Sequence, residues 1–156
     1  MQNKIASFTP SKSGTRELKP RTRCLKDIVK LPPCGLTLRQ AILNGFAYQV
    51  AVDIAKYVRL DIKSFAEIVD IKPATLNRRA KDGVFTSQES DRIYNFVEVF
   101  DAALALFEGR QDEAINWLNT PARGLGNEIP MGLLKISTGA SDVITLLRRI
   151  DTGVLI

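Results

Sequence analysis

The stretch SFAEIVDIKPATLNRRAK, Ser64 to Lys81, decides the fold of this chain of 156 residues. Ala66 supplies the small residue that a short helix needs where a second helix packs closely across it. Leu76, ten residues further on, can anchor that second helix in the core. Pro73 suits the first position of the second helix, where its missing N–H group costs nothing. The stretch therefore predicts two crossed helices that form a helix-turn-helix.

The turn between the two helices has one unusual residue. Phe65 and Val69 are the expected core residues beside Ala66, and Ile71 can fill the space under the turn. Asp70 stands where such turns often carry Gly, so it has to adopt a left-handed backbone. An ordinary helical hairpin with an exposed basic face is the alternative interpretation of the same residues.

The second helix carries side chains that suit the recognition of bases. Its outward positions are Ala74, Thr75, Asn77, Arg78 and Lys81. In a DNA major groove, Arg78 can make a bidentate contact with guanine and Asn77 can do the same with adenine. Lys72, Arg79 and Lys81 suit contacts with phosphates. These seven residues are the predicted DNA-binding site.

The charge of the chain is unevenly distributed. Residues 1–82 carry 16 Lys and Arg against 7 Asp and Glu, whereas residues 83–156 carry 6 against 10. The first part is therefore expected to attract a polyanion and the second part is not. A basic disordered tail without a target is the alternative explanation.

The composition argues against an enzyme. The chain has no histidine, which is the commonest general base and zinc ligand. Its two cysteines, Cys24 and Cys34, have no metal-ligand spacing, and no glycine-rich phosphate loop or nucleophile motif is present. No cofactor is therefore expected. Without a long apolar run or a secretory signal, the expected location is the cytoplasm.

The predicted fold class is all-α, with helices from residue 37 onward, and the chain is divided into four parts. Residues 1–35 are interpreted as a basic, largely flexible arm, in which Leu25 to Leu31 can form a short helix. A helix-turn-helix DNA-binding domain spans residues 36–86, a bridging helix spans 87–110 and a small helical domain spans 111–156. The predicted helices are about 37–44, 46–58, 62–69, 73–81, 87–108, 111–119, 130–137 and 141–152.

Capping boxes and an apolar stripe support these helices. Thr37 with Gln40 and Thr86 with Glu89 have the spacing of capping boxes. The bridging helix has a stripe that favours a core or a dimer interface over a cofactor site. The stripe consists of Ile93, Phe96, Val97, Phe100, Leu104 and Phe107.

The end of the chain is unusually apolar. Arg148 and Arg149 are expected on the outer face of the last helix, and Ile150 on its inner face. The residues that follow include Gly153, Val154, Leu155 and Ile156. An apolar tail after a glycine either returns to the core or docks into a partner, and the residues alone favour neither outcome.

The C-terminal part, AINWLNTPARGLGNEIPMGLLKISTGASDVITLLRRIDTGV, resembles the toxin-binding domain of the Xre/MbcA/ParS antitoxins. The residues that carry the resemblance are Trp117, Leu118, Pro121, Leu125, Gly126, Pro130, Gly139 and Gly153. Asn127 departs from a glycine often found in that family, but Asn also accepts a left-handed backbone. The upstream stretch TLNRRAKDGVFTSQES, Thr75 to Ser90, resembles the recognition helix and the start of the following helix in the same family.

This resemblance implies a function in two parts. The C-terminal domain binds a toxin, usually one with a RES domain that consumes NAD, and masks its active-site entrance. The helix-turn-helix represses the operon, often as a homodimer. The predicted toxin-binding residues are Arg148, Arg149, Ile150, Gly153, Val154, Leu155 and Ile156. A stand-alone transcriptional regulator whose C-terminal domain only dimerises is the alternative function.

Overall fold

A computed structural model describes residues 23–154. This part of the chain is all-helical, as predicted, and its only β-type pairings are two isolated bridges. The helices are α1 (Leu25–Ile28), α2 (Leu36–Asn44), α3 (Tyr48–Tyr57), α4 (Ile62–Ile68), α5 (Pro73–Asp82), α6 (Ser87–Leu106), α7 (Gln111–Leu118), α8 (Pro130–Leu133) and α9 (Ser137–Asp151), with a 3₁₀ turn at Arg123–Leu125. Within the described residues, no helix is both long enough and apolar enough to cross a membrane.

Helices α4 and α5 form the predicted helix-turn-helix. Asp61 caps α4 by accepting a hydrogen bond from the backbone N–H of Ser64 at 3.1 Å. Asp70 has the expected left-handed backbone, with φ of 54°. This conformation lets the N–H of Ile71 reach back to the carbonyl of Ala66 at 2.7 Å, which ends α4. The turn is therefore built as the sequence predicts, with Asp in place of Gly.

The long helix α6 lies at the centre of the molecule. Its N-terminus has the predicted capping box between Thr86 and Glu89. Most of the predicted stripe is buried, and only Phe107 at the end is half-exposed. Helices α1, α2, α7 and α9 pack against α6. One continuous core results, which runs from Leu25 to Leu147 and includes side chains from both predicted domains.

Two helix starts differ from the prediction. The capping box at Thr37 and Gln40 does not form, because α2 begins at Leu36 with Gly35 as its N-cap residue, and it has no side-chain cap. The last helix begins at Ser137 rather than at residue 141, and the helix predicted to end at residue 137 is the shorter α8, which ends at Leu133. Its early start depends on Gly139, which is buried directly against the backbone of Leu133.

Part of the predicted arm, around α1, packs against the core. The short helix predicted near Leu25 forms α1, and Leu25 and Val29 are buried in the core. Asp101 on α6 accepts hydrogen bonds from the backbone N–H groups of Leu25, at 2.5 Å, and Lys26, at 3.3 Å. Within the predicted arm, α1 is therefore held against α6. Residues 1–22 of the predicted arm lie outside the described residues.

Candidate functional site

The outer face of α5 presents five of the seven predicted DNA-binding residues to solvent. Those exposed are Lys72, Ala74, Asn77, Arg78 and Lys81, whereas Thr75 is half-buried. Leu76 is the only buried residue of α5 and points to the core. The helix therefore rests on one apolar anchor and turns its polar face outward, as a recognition helix in a major groove must.

Arg79 is placed differently from the other basic residues. Its guanidinium donates to both carboxylate oxygens of Glu89, from Nε at 2.7 Å and from Nη2 at 3.2 Å. A third hydrogen bond, from Nη1, reaches Asp82 at 3.3 Å. The Arg79 side chain is only 13% exposed. The structure thus commits Arg79 to an internal ion pair, which argues against the phosphate contact predicted for it.

Glu89 belongs to two arrangements at the same time. Its Oε2 accepts from the backbone N–H of Thr86 at 2.8 Å, and the Glu89 N–H donates to Thr86 Oγ1 at 3.3 Å. Burial acts to raise the pKa of the Glu89 carboxyl, but the hydrogen bonds from Arg79 and Thr86 outweigh it and hold the pKa below its usual range. The sequence identified Glu89 as a capping residue, and its pairing with Arg79 depends on how α5 and α6 meet in space.

The flank of the helix-turn-helix includes one residue from the C-terminal half. A cavity of about 420 Å³ lies along α4 and α5, and Lys63, Lys72 and Lys135 are among its lining residues. Glu67 and Asp70 line the same cavity, so its charges are mixed. Lys135 lies between α8 and α9, and its approach to the helix-turn-helix gave no signal in the sequence.

The end of α9 is exposed. Arg148 and Arg149 face solvent and Ile150 is half-buried. The backbone N–H of Val154 donates to the carbonyl of Arg149 at 3.0 Å, across the left-handed Gly153 with φ of 72°. The Val154 side chain is 60% exposed, so the described part of the apolar tail does not return to the core. Leu155 and Ile156 lie outside the described residues.

Comparison with known proteins covers both halves of this structure. Residues 37–98 match the family model of the antitoxin Xre-like helix-turn-helix domain. Residues 102–153 match the antitoxin Xre/MbcA/ParS C-terminal toxin-binding domain. An antitoxin Xre of Yersinia enterocolitica is 38% identical over 136 residues, which are 86% of this chain and 92% of the relative. The chain belongs to the Xre/MbcA/ParS antitoxin family.

A second relative gives the same assignment. An antitoxin Xre of Photorhabdus laumondii is 34% identical to this Xre-family antitoxin over 150 residues, which are 95% of this chain and 97% of the relative. The two family models meet within α6, since one ends at residue 98 and the other begins at residue 102. Helix α1 precedes both matched regions. In this antitoxin, α6 thus contains residues of both matched regions, the helix-turn-helix domain and the toxin-binding domain.

Proposed function

We propose that this antitoxin neutralises a RES-type, NAD-consuming toxin by covering its active-site entrance with the end of α9 and the residues after it. We also propose that it acts in the cytoplasm as a homodimer that represses its own operon through α5. The observation that carries the toxin part is the exposed end of α9, within the region that matches the toxin-binding domain. The RES class and the homodimer rest on the family resemblance.

The end of α9 suits contact with a partner for two physical reasons. The left-handed cap at Gly153 ends the helix, and Val154 is left in solvent, where burial by a partner would gain apolar contact. Arg148 and Arg149 lie beside it and can donate to carboxylates or phosphates. An apolar residue next to two arginines is the composition expected of an interface anchor with a polar rim.

The toxin part is tested by removing the last five residues, Thr152 to Ile156. The neighbouring toxin gene is expressed in bacteria with the full antitoxin or with the shortened one, and growth and co-purification are measured. We expect the shortened antitoxin to leave growth arrested, because the apolar tail that is proposed to cover the entrance is gone. The matched control is Arg123→Ala, an exposed residue of the same domain, which should still rescue growth. Undiminished rescue by the shortened chain would contradict the proposed role of this segment.

The DNA part predicts a large effect of Arg78→Ala. A bidentate contact between an arginine and guanine contributes about 1–3 kcal/mol, so affinity for the operon's upstream DNA should fall roughly 5- to 150-fold. Fluorescence anisotropy with labelled upstream and scrambled DNA at one fixed salt concentration measures this. Arg59→Gln is the control, since Arg59 forms an exposed ion pair with Asp112 away from α5. Unchanged affinity for Arg78→Ala would refute base recognition by Arg78.

A further inference from the structure

Helix α5 buries few of its side chains against the rest of the protein. Leu76 is its only buried residue, and Pro73 and Ala74 at its start are exposed. Beyond Leu76, the side-chain contact that ties α5 to α6 is the bidentate pair of Arg79 with Glu89. This pair lies toward the C-terminal end of α5, where the backbone N–H of Tyr48 also donates to the carbonyl of Gly83 at 2.9 Å. The backbone bond holds the end of the helix, and the pair and Leu76 are the side-chain contacts that orient its outer face.

Glu89 is itself held rigidly, which makes it a suitable support. Its side chain is 8% exposed, and the capping box with Thr86 fixes it to the first turn of α6. The geometry with Arg79 is bidentate, which sets an orientation as well as a distance. The bidentate contact of the Arg79 guanidinium with Glu89 therefore fixes the orientation of α5 relative to α6.

Arg79 is poorly suited to leave this pair for a DNA phosphate. Departure of the guanidinium would leave the Glu89 carboxylate buried without its cationic partner, and breaking one side of a buried pair is strongly unfavourable. Arg78, its neighbour in the chain, is already exposed without moving. The two adjacent arginines therefore have different environments.

We infer that Arg79 is a positioning residue for DNA recognition, which fixes the recognition helix α5 on α6 through Glu89 and does not itself contact DNA. This inference rests on the proposed DNA binding. It assigns Arg78 to the bases and Arg79 to the orientation of the helix that carries Arg78. It also makes Glu89, a buried carboxylate, a determinant of affinity for a polyanion.

The decisive variant is Glu89→Gln. Glutamine can still complete the capping box with Thr86, so α6 keeps its start, but the ionic bidentate pair with Arg79 is lost. If Arg79 positions α5, affinity for the specific DNA should fall about tenfold, within the range for residues coupled in one network. If Arg79 instead contacts phosphate, its release from Glu89 should leave the affinity unchanged or raise it. The sign of the change thus separates the two roles.

Arg79→Ala and the double variant complete the test. The double variant, which removes both charges, should show the same loss of about tenfold as Glu89→Gln, because the same coupling is removed. Arg79→Ala alone should lose at least as much specific affinity, since it leaves the Glu89 carboxylate without its cation. The slope of log affinity against log salt should stay unchanged for Arg79→Ala, whereas Lys72→Ala should reduce it by about one, as expected for a phosphate contact. For Arg79→Ala, affinity for scrambled DNA and rescue from the toxin should also be unchanged. A general loss of folding would reduce both.

Two results would overturn the inference. One is a reduced salt slope for Arg79→Ala, and the other is a gain or no change of specific affinity for Glu89→Gln. Arg78→Ala, measured in parallel, separates this failure from a failure of the proposed function. If Arg78→Ala also has no effect, α5 does not read DNA. If only Arg78→Ala has an effect, α5 reads DNA and Arg79 does not position it.

Discussion

Phe96→Ala is expected to lower the free energy of unfolding by about 3–5 kcal/mol, the usual cost of removing a phenyl ring from a packed core. Phe96 is 1% exposed on α6. Its ring meets Phe65 of α4 edge-on at 5.0 Å between centroids and stacks on Phe100 at 6.1 Å. The substitution therefore leaves a cavity where α6 supports the helix-turn-helix. Chemical denaturation followed by circular dichroism measures the loss.

The same variant tests whether the two family regions unfold together. Because one core joins α4, α6 and α9, we expect a single transition that shifts as a whole. Phe107→Ala is the matched control on the same helix, where the ring is half-exposed and the loss should be clearly smaller. Two separate transitions, with only the earlier one shifted by Phe96→Ala, would show that the halves fold independently.

Gly139→Ala is expected to destabilise the toxin-binding domain by about 3 kcal/mol, the upper part of the usual range for overpacking. A Cβ atom at Gly139 would lie 2.2 Å from the carbonyl oxygen of Leu133 and 3.0 Å from its Cβ. Because the atom in the way is a backbone oxygen, which cannot rotate aside, α8 and α9 have to move apart to accommodate the methyl group. Since α9 packs along α6, rescue from the toxin should fall together with thermal stability.

Gly132→Ala is the matched control for this prediction. It adds the same methyl group to a neighbouring helix, but nothing lies within 4 Å of its Cβ position. Alanine also favours helix more than glycine does, so a gain of about 0.5–1 kcal/mol is expected. Thermal unfolding of both variants measures the contrast. Equal melting temperatures for Gly139→Ala and the unchanged protein would contradict the prediction, because they would mean that α8 and α9 can move apart without loss of stability.

Local rules predicted the helix-turn-helix and the start of α6. Ala66, Leu76 and Pro73 have their roles within one short stretch, and the capping box of Thr86 and Glu89 needs only residues three apart. The left-handed conformation of Asp70 followed from its position, where such turns often carry Gly. Arg148 and Arg149 were predicted on the outer face of the last helix and are exposed, and Ile150, expected on the inner face, is half-buried. The residues alone left the tail after Gly153 undecided, and Val154 is exposed.

Other features depended on contacts between distant residues. The capping spacing at Thr37 and Gln40 is as good as that at Thr86, but α2 starts before it. Arg79 has the same chemical character as Arg78, and only the position of Glu89 on another helix makes it internal. Likewise, the apolar residues of α1 are few, and they become core residues because α6 offers Asp101 and a buried surface.

The sequence by itself determined the helical class, the helix-turn-helix and the outer face of α5, because each depends on periodicity or spacing along the chain. The family resemblance also came from the sequence, through its similarity to known motifs. The tertiary structure decided that α1 joins the core, that α6 is shared by both domains and that Arg79 faces inward. Those outcomes depend on which side chains from separate helices meet. A buried ion pair forms only when both of its charges are brought to the same place, and spacing along one helix does not specify where the other charge will be.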